Sequence, residues 1–251
     1  MLQSLTATRA EYGVTQLTAT LTTATPTGTA ISKIRPVARP SVPSIGLDSA
    51  CSAGRGALEA CIADKFARQY GAKIEQFLPF LLSLDVAGQL GAVAGLRLAG
   101  QSDLFLEQYL DVPVEQAVSK EFRTPVDRAQ IVEIGNLASA APGSAALLFS
   151  LLPAILHEAG IRWVVCTATP QVQAMLGKLQ FPSQTICTAD PDVLGDKQAD
   201  WGSYYASRPD VIVGDVELAV KRAATNRSVS ALMHALAAPI SRIATALKSA
   251  G

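Results

Sequence analysis

The sequence predicts an α/β domain in which a mixed central sheet lies between two layers of helices. Of its 251 residues 49% are hydrophobic, which is enough for a substantial core. The first half contains a hairpin pattern, and the second half alternates strands with helices. An antiparallel first half that continues into a β-α-β crossover gives a mixed, three-layer sheet.

Composition divides the chain into three segments. Residues 1–42 are rich in Thr, Ala, Ser and Pro without a hydrophobic period, which predicts a flexible tail, with a targeting peptide as the alternative. Residues 43–218 form the predicted globular domain. Residues 219–251 are predicted to form a separate basic amphipathic helix.

The elements of the domain follow in order from local patterns. A helix over residues 57–70 ends at Gly71, and two strands within residues 77–100 are joined by a tight turn at Ala87-Gly88-Gln89. One or two short helices surround Pro113. The second half then predicts strand 131–137, helix 144–159, strand 161–168, helix 170–180 and two strands near residues 185–187 and 209–218.

Several classes of protein are excluded by what the sequence lacks. The formal net charge of zero gives no basis for nucleic-acid binding. The four cysteines have no metal-ligand spacing, and no nucleotide-binding glycine motif or nucleophile elbow is present. No apolar run reaches the length of a membrane span, and the N-terminus does not read as a secretory signal, so we expect a cytoplasmic protein without a metal.

Glu133 is the candidate catalytic residue because it interrupts a buried strand. Alternation places Val132 and Ile134 on one face and Glu133 on the other with Gly135 and Leu137, and Gly135 is expected to leave open space beside the carboxylate. Burial would raise the pKa of Glu133 towards working pH, as a general base requires. The alternative is a structural ion pair with Arg97 or Arg123.

A second candidate site is the aromatic loop that contains Trp201, Tyr204 and Tyr205. These rings could line an acyl or amine pocket. Equally, they could form a plug that fixes the loop on the sheet. The sequence alone leaves both interpretations open.

Ordered motifs carry a resemblance to known families. "GLRL" (95–98), "VEIGNLA" (132–138) and "MLGKLQF" (175–181) resemble the GNAT acyltransferase superfamily and its acyl-homoserine-lactone synthase branch. "LFLEQYLD" (104–111), "VEIGNLAS" (132–139), "CTADPDVLG" (187–195) and "WGSYY" (201–205) are similar to the thermostable hemolysin family. The resemblance covers roughly residues 60–218 and implies a GNAT-like mixed sheet flanked by helices.

The resemblance also implies a donor site. In GNAT-like folds two parallel strands part after the glutamate, and the freed backbone pairs with a pantetheine arm; here that edge would be Asn136, Leu137 and Ala138. The loop ending in Gly143 and Ser144 would face phosphate. This loop lacks the basic residues usual in the superfamily, which weakens binding of the coenzyme A pyrophosphate and leaves room for an acyl carrier protein. The expected co-substrate is therefore acyl-CoA or the acyl-phosphopantetheine of a carrier protein, with no permanently bound cofactor.

The same resemblance implies roles for other residues. Tyr204 or Tyr205 would protonate the leaving thiolate, because Leu176 stands where the superfamily has a tyrosine. Four residues would border the acceptor pocket, namely Arg97, Glu107, Tyr109 and Trp201. The expected function is N-acyl transfer to the amine of a small molecule. The alternatives are a membrane-binding lytic protein and an inactive module that binds acyl thioesters.

The C-terminal segment carries an apolar stripe and a basic face. Leu232, Leu236, Ile240, Ile243 and Leu247 recur at helical steps, while no acidic residue follows Glu217. Pro239 predicts two short helices or a kink. A basic amphipathic helix suits an anionic membrane surface or an acidic carrier protein. The alternative is that the stripe packs on the body.

Overall fold

A seven-stranded mixed sheet is the centre of the structure, a computed structural model that describes residues 42–251. The strand order is β1-β2-β3-β4-β5-β7-β6, and every neighbouring pair is antiparallel except β4 and β5. The strands are β1 (Ser44–Asp48), β2 (Phe80–Val86), β3 (Gln89–Leu98), β4 (Ile131–Ser139), β5 (Trp163–Ala168), β6 (Ser183–Thr188) and β7 (Asp210–Asp215). The predicted mixed sheet is confirmed.

Helices cover both faces of this sheet, which gives the three layers. The α-helices are α1 (Arg55–Tyr70), α2 (Val114–Phe122), α3 (Ser144–Glu158), α4 (Pro170–Lys178), α5 (Val216–Thr225), α6 (Arg227–Ala235) and α7 (Ala237–Ala250). Short 3-10 helices span Phe105–Tyr109, Arg128–Gln130, Pro191–Trp201 and Tyr204–Ser207. One core cluster lies under α3 to α7, and the other lies under α1, α2 and the 3-10 helices.

Two differences from the sequence prediction concern strand β1 and the start of helix α5. Strand β1 was not predicted, because five residues with one buried position carry little periodic signal; it forms the sheet edge beside β2. Residues 216–218 begin helix α5 instead of extending a strand. The side chain of Asp215 accepts the N–H of Leu218 at 2.9 Å, so it caps the helix at this point.

Strand β4 contains a bulge that reorients its second half. Gly135 pairs with Gly95 and Ala138 pairs with Val93, so one residue of β3 faces both Asn136 and Leu137. Asn136 adopts a left-handed conformation with φ 49°. The extra residue inverts the alternation, and Leu137 packs in the cluster under α3 instead of sharing the face of Glu133. The prediction for Leu137 is corrected accordingly.

Strands β4 and β5 part at their carboxyl ends. Their last pair is Ile134 with Cys166, although β4 continues to Ser139 and β5 to Ala168. The parallel ladder therefore opens where the bulge begins. This gap positions the candidate site.

The C-terminal segment is part of the main core, not a separate helix. Ile240, Ile243 and Leu247 of α7 are buried in the same cluster as α3, so the stripe packs on the body. The chain bends between α6 and α7 at Leu236, and Pro239 lies within the first turn of α7, where its missing N–H costs nothing. The predicted break is therefore displaced by three residues.

Within the described residues, no single helix is long and apolar enough to cross a membrane. Only the pair Arg227–Ala235 and Ala237–Ala250, bent by 72°, meets the length and composition criteria when taken together. The flexible tail predicted for residues 1–42 lies outside the described residues except for Val42.

Candidate active site

A cavity of about 490 Å³ opens in the gap between β4 and β5. Its wall comes from β3, β4, β5, α1, residues 73–78 and the 3-10 helices near Trp201. Seven predicted site residues line it: Arg97, Glu133, Asn136, Leu137, Trp201, Tyr204 and Tyr205. Residues far apart in the sequence therefore meet in one place.

Glu133 is buried in the wall and has defined partners. Its Oε2 atom accepts the N–H of Phe105 at 3.0 Å, and its Oε1 atom accepts the N–H of Leu106 at 2.9 Å. The nearest cation is Arg97, whose Nη1 lies 3.8 Å from Oε2. Arg123, the other partner considered from the sequence, forms no ion pair with it within the described residues.

Burial raises the pKa of Glu133 above its ordinary value. The two N–H donors and the charge of Arg97 act in the opposite direction, and the cost of removing the carboxylate from water outweighs them. Each carboxylate oxygen accepts one hydrogen bond and keeps another lone pair. Such a group can take a proton from a molecule in the cavity.

Gly135 does not leave the open space that the sequence suggested. The side chain of Leu78 lies against it, and a Cβ atom at Gly135 would be 3.0 Å from Leu78 Cδ1. The N–H of Leu78 also donates to Asn136 Oδ1 at 2.9 Å. The segment before β2 thus covers this part of β4, and the bulge residue holds it there.

Aromatic rings form much of the cavity wall. Tyr204 and Tyr205 are buried, and their rings contact that of Trp201 with centroids 5.3 and 5.8 Å away. Sequence analysis missed Phe66, Tyr70, Phe77 and Phe105, which also line the cavity. In the sequence the helical spacing of Phe66 and Tyr70 is that of a core helix. Phe105, however, lies within the motif "LFLEQYLD" and could have been found there.

The two tyrosine hydroxyls already have partners. Tyr204 donates to the carbonyl oxygen of Thr167 at 3.1 Å, and the hydroxyls of Tyr205 and Tyr109 form a hydrogen bond. Burial raises the pKa of Tyr204 and raises that of Tyr205 to about 12. Both phenols are therefore weaker proton donors than a solvated tyrosine.

Glu107 and Tyr109 lie behind the cavity wall and do not line it. Glu107 forms a two-pronged ion pair with Arg128, with distances of 2.6 and 2.7 Å. This pairing lowers the pKa of Glu107 to about 2. Tyr109 lies behind two residues of the wall: its hydroxyl bonds to that of Tyr205, and its ring contacts that of Phe105. The acceptor-pocket prediction for these two residues is corrected, because both side chains point to protein partners.

The loop before α3 is largely occupied by its own hydrogen bonds. The N–H groups of Ala140 and Ala141 both donate to Gly91 O, and that of Ser144 donates to Ala141 O. Gly143, with φ 81°, is the residue that precedes the helix, so Ser144 is not its cap. Ala138, Gly143 and Ser144 do not line the cavity. At this helix start, the N–H groups of Gly143, Ala145 and Ala146 have no backbone partner among residues 42–251.

Comparisons with known proteins agree with this architecture. A family model described as thermostable hemolysin matches residues 49–220. The crystal structure of TofI in a ternary complex with an inhibitor and MTA superimposes with a TM-score of 0.51 at 12% identity, covering 74% of this chain and 98% of TofI. This likeness shows the fold, and the GNAT-like α/β fold predicted from the sequence is confirmed.

Two further structures have lower scores. FeeM, an N-acyl amino acid synthase from uncultured soil microbes, gives a TM-score of 0.48 at 15% identity over 72% of this chain and 94% of its own. The AHL synthase LasI gives 0.48 at 11% identity over 69% and 90%. No curated protein sequence matches the chain.

Proposed function

The chain belongs to the thermostable hemolysin family, and from that premise we propose that it is an N-acyltransferase. It would move an acyl group from an acyl thioester to the amine of a small molecule. One observation carries the proposal: a buried glutamate with a raised pKa lines a cavity at the gap between two parallel strands.

Glu133 would act as the general base. The amine nitrogen attacks the thioester carbonyl carbon, and a new C–N bond forms while Glu133 takes the proton from nitrogen. The C–S bond then breaks, and the electron pair leaves with sulfur. An ammonium ion has no lone pair for the attack, so a nearby base is required.

The backbone of β4 beyond the last β4–β5 pair would orient the thioester. Asn136 and Leu137 line the cavity in this stretch, where the parallel ladder has ended. An N–H group there can polarise the carbonyl as negative charge develops on its oxygen. A free thiol has an ordinary pKa of about 8.5, which is below the raised pKa values of both phenols. Proton transfer from either tyrosine to the leaving thiolate is therefore unfavourable, and the proposed reaction does not use it.

The donor would be acyl-CoA or an acylated carrier protein, used as a co-substrate. Ile134, Phe149 and Val172 give one side of the cavity an apolar surface suited to an acyl chain. The unpartnered N–H groups at the start of α3 suit phosphate, because a helix N-terminus favours negative charge. Arg97 and Trp201 would border the amine on the opposite wall.

A second candidate function is binding of acyl thioesters without chemistry. The observation that favours it is that both oxygens of Glu133 already accept backbone N–H groups. In that case Glu133 would be a structural residue. The cavity would still admit the donor.

One assay separates these functions. Thiol release from short-chain acyl-CoA would be measured with a panel of amines, for the wild type and for Glu133→Gln. We expect the variant to lose about 10²–10⁴-fold in turnover, because an amide cannot accept the proton. Glu158→Gln, an exposed change outside the cavity, is the matched control. Equal turnover of wild type and Glu133→Gln would exclude Glu133 as the base, and saturable binding without thiol release would favour the second function.

A further inference from the structure

We infer that Arg128 is a positioning residue for acyl transfer: through Glu107 it fixes the 3-10 helix Phe105–Tyr109, whose N–H groups orient the Glu133 carboxylate. The inference rests on the proposed function of Glu133. It assigns a purpose to "LFLEQYLD" that differs from a substrate contact. Three sets of contacts lead from Arg128 to the base.

The first set ties Arg128 to several points of the chain from Ala99 to Glu115. Its Nε donates to Ala99 O at 2.8 Å, and its two Nη atoms bind Glu107 at 2.6 and 2.7 Å. Nη1 also reaches Glu115 of α2 at 2.9 Å, and Nη2 reaches Ser102 O at 3.3 Å. A guanidinium can satisfy these directions together because its five N–H groups lie in one plane.

The second set joins Glu107 to the start of the short helix and to the start of α2. Glu107 Oε2 accepts the N–H of Leu104 at 2.8 Å, and Oε1 accepts the N–H of Val114 at 3.0 Å. Its side chain is therefore a fixed link between the start of this helix and the start of α2. Arg128 is the one cation of residues 42–251 that forms an ion pair with Glu107, and this pairing lowers the pKa of Glu107.

The third set reaches the candidate base. Phe105 and Leu106 are the first two residues of the five-residue helix, and their N–H groups bind the two oxygens of Glu133. A helix of this length is not stable by itself, so its position depends on contacts made elsewhere. Leu106, fully buried, and the Glu107–Arg128 pair supply those contacts.

Loss of Arg128 would therefore alter the base without touching it. Glu107 would become an uncompensated charge, and the Phe105 and Leu106 N–H groups would lose their fixed positions. Both changes favour the protonated form of Glu133. The rate limb that reports ionisation of Glu133 would then move to higher pH.

The experiment compares pH profiles of kcat/KM for the wild type and Arg128→Met. For Arg128→Met we expect the midpoint of the acid limb to move to higher pH by about one unit, because the protonated form of Glu133 is favoured. We also expect the plateau rate to fall about 10- to 100-fold, because a base displaced by a fraction of an ångström is poorly aligned. Arg162→Met is the matched control, since Arg162 forms a partly buried pair with Asp215 at 2.8 Å outside the cavity. It should lower thermal stability and leave the profile unchanged.

Arg128→Lys covers the case in which Arg128→Met does not fold. Lysine keeps the charge but cannot bind both oxygens of Glu107 and the carbonyl of Ala99 together, so an intermediate shift is expected. A ¹³C NMR titration of labelled glutamate carboxyls gives a readout without turnover. The Glu133 resonance is identified by its absence in Glu133→Gln, and in either Arg128 variant it should titrate at higher pH than in the wild type.

The outcomes separate the inference from the proposed function. If Glu133→Gln reduces turnover but the Arg128 variants keep the wild-type limb and resonance, Arg128 only stabilises the fold and the inference is wrong. An equal shift in Arg162→Met would also overturn it. If Glu133→Gln keeps full turnover, the proposed function of Glu133 fails first.

Discussion

Glu133 and Glu107 are bound by the backbone in the same way, but their pKa values shift in opposite directions. Each carboxylate accepts two backbone N–H groups, and all four donors lie within residues 104–114. Yet the pKa of Glu133 is raised, and that of Glu107 is lowered to about 2. Backbone hydrogen bonds alone therefore do not determine the direction in which the pKa of a carboxyl group shifts.

The difference lies in the cation and in burial. Arg128 touches both oxygens of Glu107, whereas Arg97 comes no closer than 3.8 Å to Glu133. The side chain of Glu133 is 5% exposed and that of Glu107 is 17% exposed. Glu107 is thus held as an anion, whereas the pKa of Glu133 is raised, as the proposed general base requires.

The largest effect on stability is expected from Glu107→Gln. The amide loses the charge that Arg128 and the two N–H donors satisfy, so the free energy of unfolding should fall by about 2–3 kcal/mol. That corresponds to a drop in Tm of roughly 4–10 °C for a domain of this size. Calorimetry would measure it.

The control for this change is Glu75→Gln. Glu75 pairs with Lys73 at 2.8 Å, but both side chains are at least 70% exposed. Such a surface pair contributes little, and Tm should move by no more than about 2 °C. If the two variants lose the same stability, the Glu107 region is no more than a surface ion pair.

A smaller effect with a distinctive sign is expected from acid titration of stability. Glu107 has a depressed pKa, so its contribution is present above the ordinary value of 4.5 and is lost as the pH falls towards 2. Glu133 has a raised pKa, so its ionised form opposes folding at neutral pH and this penalty disappears on acidification.

Urea midpoints from about pH 7 to about pH 3 would test these signs. As the pH falls, the stability advantage of the wild type over Glu107→Gln should shrink. Over the same range, the stability of the wild type relative to Glu133→Gln should increase. Parallel changes in the two differences would mean that both carboxylates are in the same electrostatic environment, contrary to the comparison.

The smallest effect is expected from Arg97→Met. The charge of Arg97 lowers the pKa of Glu133, so its removal should move the acid limb of kcat/KM upwards, by roughly half a pH unit, because the pair is partly solvated. Added salt should reduce the difference from the wild type. Arg123→Met, an exposed change, should leave the limb in place. A shift in Arg123→Met of the same size would show that the effect is not local.

The fold could be predicted where the pattern is local. The turn at Ala87-Gly88 is confirmed, with both residues at positive φ, and the order β4-α3-β5-α4 follows from hydrophobic period and helix caps. The bulge at Asn136 could not be predicted, because an asparagine adopts the left-handed conformation only when its neighbours demand it. It reversed the predicted orientation of Leu137.

The candidate site was predicted in part for the same reason. A carboxylate within an apolar strand identified Glu133, and a dense aromatic loop identified Trp201, all from neighbouring residues. The partner of Glu107 could not be read from the chain, since Arg128 lies beyond α2 and its role depends on tertiary contacts. The motif resemblance assigned Glu107 to the acceptor pocket, although its side chain pairs with Arg128 behind the cavity wall.

The conformation of Gly202 affects how molecules enter and leave the cavity. It has φ 52°, and a Cβ atom there would overlap the carbonyl oxygen of Tyr70. Ser203 N–H donates to the same oxygen at 2.8 Å, and Lys73 N–H donates to Asp200 O at 2.6 Å. Backbone contacts thus join the end of α1 to the loop that carries Trp201. We expect the opening of these backbone contacts to govern how quickly a molecule enters and leaves the cavity, independently of its affinity for the cavity.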